Sequence, residues 1–205
     1  MSNLPVLAST QSLVVAQQKE MLEAFTGFET KNRYVVQLPT GQPALYAAET
    51  GEGAGAALLR TFLKNKRPFT MSLMDTMGQP ALQLRRPWTW FFSKMHVTDG
   101  SEMPVGTIQQ RFAFFARRFD VLDQNGQLVA QLHGPFFRPW TFRVVVQGQD
   151  IGKISKKWSG LLQEAFTDAD TFGVEFSPSM PPSLRSLVLA ATFLIDFLYF
   201  ENKGG

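Results

Sequence analysis

The sequence predicts a mainly β protein, a closed antiparallel barrel of consecutive hairpins around an apolar C-terminal helix. Three observations carry this. A glycine-centred turn recurs between β-type runs, as Thr40-Gly41-Gln42, Met77-Gly78-Gln79, Asn125-Gly126-Gln127 and Gln147-Gly148-Gln149. Glycine supplies the positive φ that tight hairpin turns need, and Asn-Gly between alternating residues is the strongest short hairpin signal. The turn glycines are unevenly spaced along the chain, which excludes a solenoid of regular repeats and leaves a meander of at least eight strands. The most hydrophobic run, Ser183 to Phe200, comes last. A closed barrel removes exposed edges, and a central helix fills its interior.

The hairpin strands are expected at Tyr34 to Leu38 with Ala44 to Ala48, Phe69 to Met74 with Ala81 to Leu84, Phe119 to Leu122 with Leu128 to Leu132, and Phe142 to Val146 with Ile151 to Ser155. Between the first two hairpins, Gly51 to Gly55 reads as a loop. Ala56 to Lys64 follows as a helix, with Leu58, Leu59, Phe62 and Leu63 on one face. The alternation of Phe172, Val174 and Phe176 reads as a further strand. Helix 183–200 follows Pro181 and Pro182, with Ser183 in position to cap it. Its roughly 18 residues at ~1.5 Å each reach ~27 Å, near the lower limit for crossing a bilayer. Arg185 and Asp196 would be costly in lipid, so burial inside the barrel is the favoured reading and a membrane span the other. Asp196 then needs a partner, and an Arg or Lys on an inward strand position would serve. As an organisation this gives a short N-terminal segment, 1–20, and one barrel domain, 21–203.

The 205 residues contain no cysteine, which excludes disulfides, thiolate metal sites, cysteine nucleophiles and S-palmitoylation. Without disulfides, and with no basic-then-apolar leader at the N-terminus, the expected setting is intracellular, cytoplasmic or peripheral at the cytoplasmic face of a membrane. His96 and His133 are the only histidines, and no GxSxG, P-loop or HExxH motif is present, so an enzyme is not expected. His133, before Gly134-Pro135, reads as a turn residue. The net charge of +3 is unevenly spread: residues 60–94 hold seven Lys/Arg against Asp75 alone, whereas residues 158–205 hold two against six acids. Such a split suits one basic face for phosphate-bearing partners.

Several blocks are specific enough to place the chain. Glu23-Ala24-Phe25-Thr26-Gly27-Phe28-Glu29-Thr30, Arg67-Pro68-Phe69-Thr70, the run from Gly152-Lys153-Ile154-Ser155 through Trp158-Ser159-Gly160 to Glu164-Ala165-Phe166-Thr167-Asp168-Ala169-Asp170-Thr171-Phe172-Gly173, and Phe193-Leu194-Ile195-Asp196-Phe197 occur in order. From about Leu22 to Glu201 the chain resembles the phospholipid scramblase family. The resemblance implies a Tubby-like barrel of about twelve strands around a hydrophobic C-terminal helix. It also implies calcium-linked transbilayer movement of phospholipid, or membrane-lipid binding. The alternative is a Tubby-like module that binds anionic phospholipid or a protein partner without moving lipid.

In place of the cysteine clusters that relatives often acylate, this chain carries aromatic and basic residues: Arg85, Arg86, Trp88, Trp90, Phe91, Phe92 and Lys94, then Phe136, Phe137, Arg138 and Trp140. Rings of this kind anchor among headgroups and cations meet phosphates, so an anionic phospholipid surface is the expected partner. The bland reading lines the barrel core with them. Arg111, Arg117 and Arg118 alternate with Phe112, Phe114, Phe115 and Phe119, a pattern that single-stranded nucleic acid could use. No nucleic-acid motif accompanies them, so nucleic acid is not an expected partner and a solvated strand face is. The family's calcium loop falls on Asp168 to Ser179. Asp168 and Asp170 occupy the first and third positions, with Glu175 the other nearby acid. Phe172, Phe176 and Ser179 stand where ligands belong, so calcium is expected to bind weakly, and a polar turn is the plainer reading.

Overall fold

The computed structural model describes residues 4–18, 32–50, 67–138, 140–156 and 171–200. Twelve strands close into one antiparallel barrel. They are β1 (Ser12–Gln17), β2 (Arg33–Gln37), β3 (Pro43–Thr50), β4 (Phe69–Asp75), β5 (Pro80–Arg86), β6 (Lys94–Asp99), β7 (Pro104–Arg111), β8 (Ala116–Asp123), β9 (Leu128–Pro135), β10 (Thr141–Val146), β11 (Gln149–Ser155) and β12 (Thr171–Phe176). Each strand pairs with its sequence neighbour, and β1 pairs with β12 to close the ring, with Val14 opposite Gly173. A short helix α1 (Pro5–Ser9) precedes the barrel, and α2 (Pro182–Tyr199) runs through it. The glycine-rich loop at 51–55, the helix expected over 56–64 and the candidate ligands Asp168 and Asp170 lie outside the described residues.

The four glycine turns form as expected, with φ between 78° and 84° at Gly41, Gly78, Gly126 and Gly148. A fifth hairpin, β6–β7, has the same hydrogen bonds but no glycine at that point. Glu102 takes the left-handed slot at φ 62°, its N–H donating to the Asp99 carbonyl as Gly78 does to Asp75 and Gly126 to Asp123. In these three turns an aspartate Oδ1 also accepts two turn N–H groups at 2.8–3.0 Å. The aspartate therefore fixes the turn, and the left-handed residue bears the strain. Left-handed backbone costs a non-glycine residue ~1–2 kcal/mol, while glycine adds up to about 1 kcal/mol of unfolded-state entropy. Glu102→Gly should accordingly raise stability by up to ~1 kcal/mol; a thermal melt that falls instead contradicts a strained turn.

The segment 1–20, set apart by sequence, contributes a stave: β1 is an integral strand of the barrel. Its inward residues Leu13 and Val15 join the core.

Helix α2 fills the barrel. Every residue from Leu184 to Phe197 is buried, polar Thr192 and Asp196 included. The helix is long and apolar enough to cross a membrane by length and composition, but here the barrel wall takes the place of lipid. Ser183 does not cap it. Pro181 is the N-cap and Pro182 the first helical residue, so two of the N–H groups a helix start leaves unmet are absent from the outset. β7 approaches the helix closely at Gly106, where a Cβ would meet the Leu122 carbonyl oxygen at 2.2 Å and the Leu187 side chain at 3.0 Å. Arg185, buried at the helix start, spends its guanidinium on carbonyls of Leu7, Thr10, Ser177 and Met180 at 2.7–3.2 Å. It thereby ties α1 and the turn after β12 to the helix. A charge that would be expensive in lipid is satisfied by backbone dipoles.

Candidate functional site

Antiparallel order sends the glycine turns and the β6–β7 turn to one end of the barrel, and the β5–β6, β7–β8 and β9–β10 loops to the other, where the helix C-terminus also emerges. That second end carries the aromatic residues. The β5–β6 loop holds Trp88, Trp90, Phe91 and Phe92, the β7–β8 loop Phe112, Phe114 and Phe115, and the β9–β10 loop Phe136, Phe137 and Trp140. All are exposed, Phe91, Phe114 and Phe137 by more than four-fifths of their surface. Trp88 packs on Trp90 within its loop at 4.7 Å between centroids, and the loops touch one another: Phe92 meets Phe112 at 6.5 Å, and the Phe136 N–H donates to the Phe115 carbonyl. One continuous aromatic crest results. The core reading of these rings does not hold, because inward positions on the adjoining strands are already filled by Met95, Ile108, Phe119, Leu132 and Phe142.

Cations surround the crest. Arg85, Arg118 and Arg138 are exposed, and Lys94 is half-buried. Arg117 stacks on Tyr199 at 4.2 Å, and Lys156 lies over Phe200 at 4.4 Å. Arg111 pairs with Asp120 at 2.6 Å. The opposite end is acidic, with Asp75, Asp99, Glu102, Asp123 and Asp150 in or beside its turns. The described barrel is thus electrically polar along its axis. His96, on the outer wall, has its pKa lowered by partial burial and then by Lys94 and Arg85. His133 is likewise lowered by burial, then by Arg118 and Arg143, against the opposing pull of Asp150 and Asp120. Both stay neutral at neutral pH, so neither adds to the positive end.

Arg86, grouped by sequence with the surface cations, is turned inward and buried. Neighbouring residues of a strand point to opposite faces, so Arg85 and Arg86 cannot share one. Arg86 donates to the Arg67 carbonyl and to Ser93 Oγ at 2.8 Å, and packs over Phe197 at 4.8 Å. Arg67, also buried, pairs with Glu49. Together they support the helix end from below the crest. The described hydrogen bond to Asp196 comes from Tyr34, whose hydroxyl donates to Oδ2 at 2.6 Å. Tyr199, hydrogen-bonded by Gln110, has its pKa raised by burial against the pull of Arg117 and that bond.

Other expectations shift. His133 lies within β9, not in a turn. Phe112, Phe114 and Phe115 leave the strand face on which sequence set them and join the crest; only Phe119 points inward, and Arg117 and Arg118 do lie on a strand. The signal for a loop was the chain's need to turn between Arg111 and Ala116 without a glycine or proline to mark it. Glu175 sits on the outer wall of β12, paired with Lys153 at 2.9 Å. Among the described residues no group of three or more His, Asp or Glu side chains gathers to hold a metal.

A closed twelve-stranded antiparallel barrel threaded by an apolar helix is the Tubby-like fold, here with one aromatic and cationic end. The chain belongs to the Scramblase family, whose model matches residues 1–202. It is 32% identical to phospholipid scramblase 1 of Mus musculus, over 98% of this chain and 64% of that protein. To the Homo sapiens phospholipid scramblase 1 it is 30% identical, over 98% and 66%. A phospholipid scramblase family protein of Schizosaccharomyces pombe is 31% identical over 97% of the chain and 62% of its own length. The chain therefore spans just under two thirds of these relatives. An X-ray structure of a protein from Arabidopsis thaliana shares the fold at a TM-score of 0.54 and 10% identity, covering 94% of this chain and 96% of that one.

Proposed function

We propose that the protein is a phospholipid scramblase-like protein that docks end-on to anionic membranes at the cytoplasmic face and moves phospholipid between leaflets. The exposed aromatic crest, ringed by cations, is the observation that supports docking; the names of its relatives support phospholipid as the substrate. Rings of this size sit in the headgroup region, and each nearby cation adds roughly 1 kcal/mol against an anionic surface. The wall itself is polar outward, through Gln83, Arg85, His96, Arg118 and Arg143, the reverse of the apolar band a spanning barrel presents. The barrel in this reading lies on the membrane, crest first. Calcium enters as a weak ligand of Asp168 and Asp170, with Glu175 already engaged by Lys153.

The test combines sedimentation with vesicles of neutral and mixed neutral–anionic phospholipid and a fluorescent-lipid flip assay, each with and without calcium. Binding that favours the anionic vesicles, together with accelerated flip, is the expected result. Binding without flip would leave the non-transporting module and remove transport, and no binding would remove both.

A further inference from the structure

At the acidic end, ~27 Å along the helix from the crest, the barrel mouth is open on one side. A cavity of about 670 Å³ lies between the first turns of α2 and staves β7 to β11. Its walls are aliphatic: Val105, Val129, Val146 and Ile151 from the staves, Leu184 and Leu187 from the helix. Five adjacent staves at ~4.8 Å make an arc of ~19 Å, and Leu187 lies ~8 Å below Pro182 along the helix. The space is a curved slot whose volume falls in the range of ligand sites, roughly 300–1,000 Å³.

The rim sets the polarity of what can enter. Among the described residues Asp123 is the only charged one lining the slot, and Gln124, Gln147 and Gln149 line it too. The Asp123 Oδ1 accepts the turn N–H groups of Asn125 and Gln127, so the turn holds this carboxylate in place at the rim. Asp99 and Glu102 stand in the neighbouring β6–β7 turn and Asp150, paired with Arg143 at 3.0 Å, at the start of β11; among the described residues no Lys or Arg lines the slot. The start of a helix normally attracts anions; here Pro181 and Pro182 carry no N–H, which halves the donors and leaves those of Ser183 and Leu184.

We propose that this slot binds a single aliphatic chain ending in an ammonium group, the chain lying along the arc and the cation at Asp123. A fatty carboxylate fits the walls equally but meets the wrong charge at the rim. Because slot and crest occupy opposite ends, this site is independent of membrane docking, and its ligand arrives from the aqueous side of a docked barrel.

The test is calorimetric titration of the full chain with dodecylammonium chloride, below its micelle concentration, and with sodium dodecanoate. Saturable binding of the amine, with the carboxylate weaker by about tenfold, is expected, one charge-assisted contact being of that order. Asp123→Asn keeps the turn acceptor and should bring the two ligands within about threefold. Val146→Phe should fill the slot and abolish binding, with its fold checked by circular dichroism. The crest variant Trp90→Ala/Phe91→Ala should bind the amine unchanged. Equal binding of both ligands by the native chain, amine binding that survives Val146→Phe in a folded protein, or amine binding lost in the crest variant would each overturn the assignment.

Discussion

Deleting residues 184–205 should abolish soluble folding. The truncation removes Leu184, Leu187, Val188, Leu189, Phe193, Leu194, Ile195 and Phe197, all buried among the inward strand residues. At ~1.5–3 kcal/mol for each large apolar side chain, their burial is worth more than the 5–15 kcal/mol by which a typical domain is stable. The remaining barrel would enclose a void where close packing is required. It would also lose Arg185, which holds α1 to the turn after β12. The expected product is an aggregated or molten chain, read by size-exclusion chromatography and near-ultraviolet circular dichroism. A monomeric truncation with native near-ultraviolet signal would mean that the helix is an appendage and not the core.

Trp90→Ala/Phe91→Ala should weaken binding to anionic vesicles at least about a hundredfold while leaving the melting temperature within ~2 °C of the native value. Burying half of a ring's 150–250 Å² at about 25 cal/mol per Å² contributes ~2–3 kcal/mol, and two rings together exceed the ~2.8 kcal/mol that a hundredfold requires. Stability is spared because Trp90 is 70% and Phe91 86% exposed; core rings would cost ~3–5 kcal/mol each. Phe114→Ala/Phe115→Ala should behave the same way, since those rings belong to the same crest. Binding should also decline with salt, exposed charges being screened over ~8–10 Å at physiological ionic strength. An early melt, or undiminished binding in both double variants, would end the crest as the anchor.

Much of the barrel was legible because a glycine marks each of four hairpins and the alternation on either side is clean. β6 and β7 were not, because Glu102 occupies the left-handed position by which the other turns announce themselves. β1 was missed for a different reason. Its Leu13 to Ala16 run is short, and its final partner β12 lies at the far end of the sequence, so nothing local assigns it to a sheet. The helix was legible from composition alone, but its cap was not: Ser183 has the right chemistry one residue too late. At the crest, Trp88 to Phe92 and Phe136 to Trp140 stood out as aromatic and basic segments. Phe112 to Phe115 did not, since arginines on both sides imitate a strand pattern. Arg86 was misgrouped by proximity to Arg85, although strand alternation separates the two.

The pairing of β1 with β12 governs when this molecule can fold during its synthesis. Residues 12–17 leave the ribosome well before 171–176, with the ten other strands synthesised in between. The helix that the ring must enclose follows β12 in the chain, over Pro182–Tyr199. A nascent chain can form its local hairpins but can neither close the ring before β12 has emerged nor fill it before the helix has. Such long-range closure places the protein among slow folders. Until both have emerged, the outer hairpins present unpaired strand edges and an uncovered apolar face, the state most in need of a chaperone.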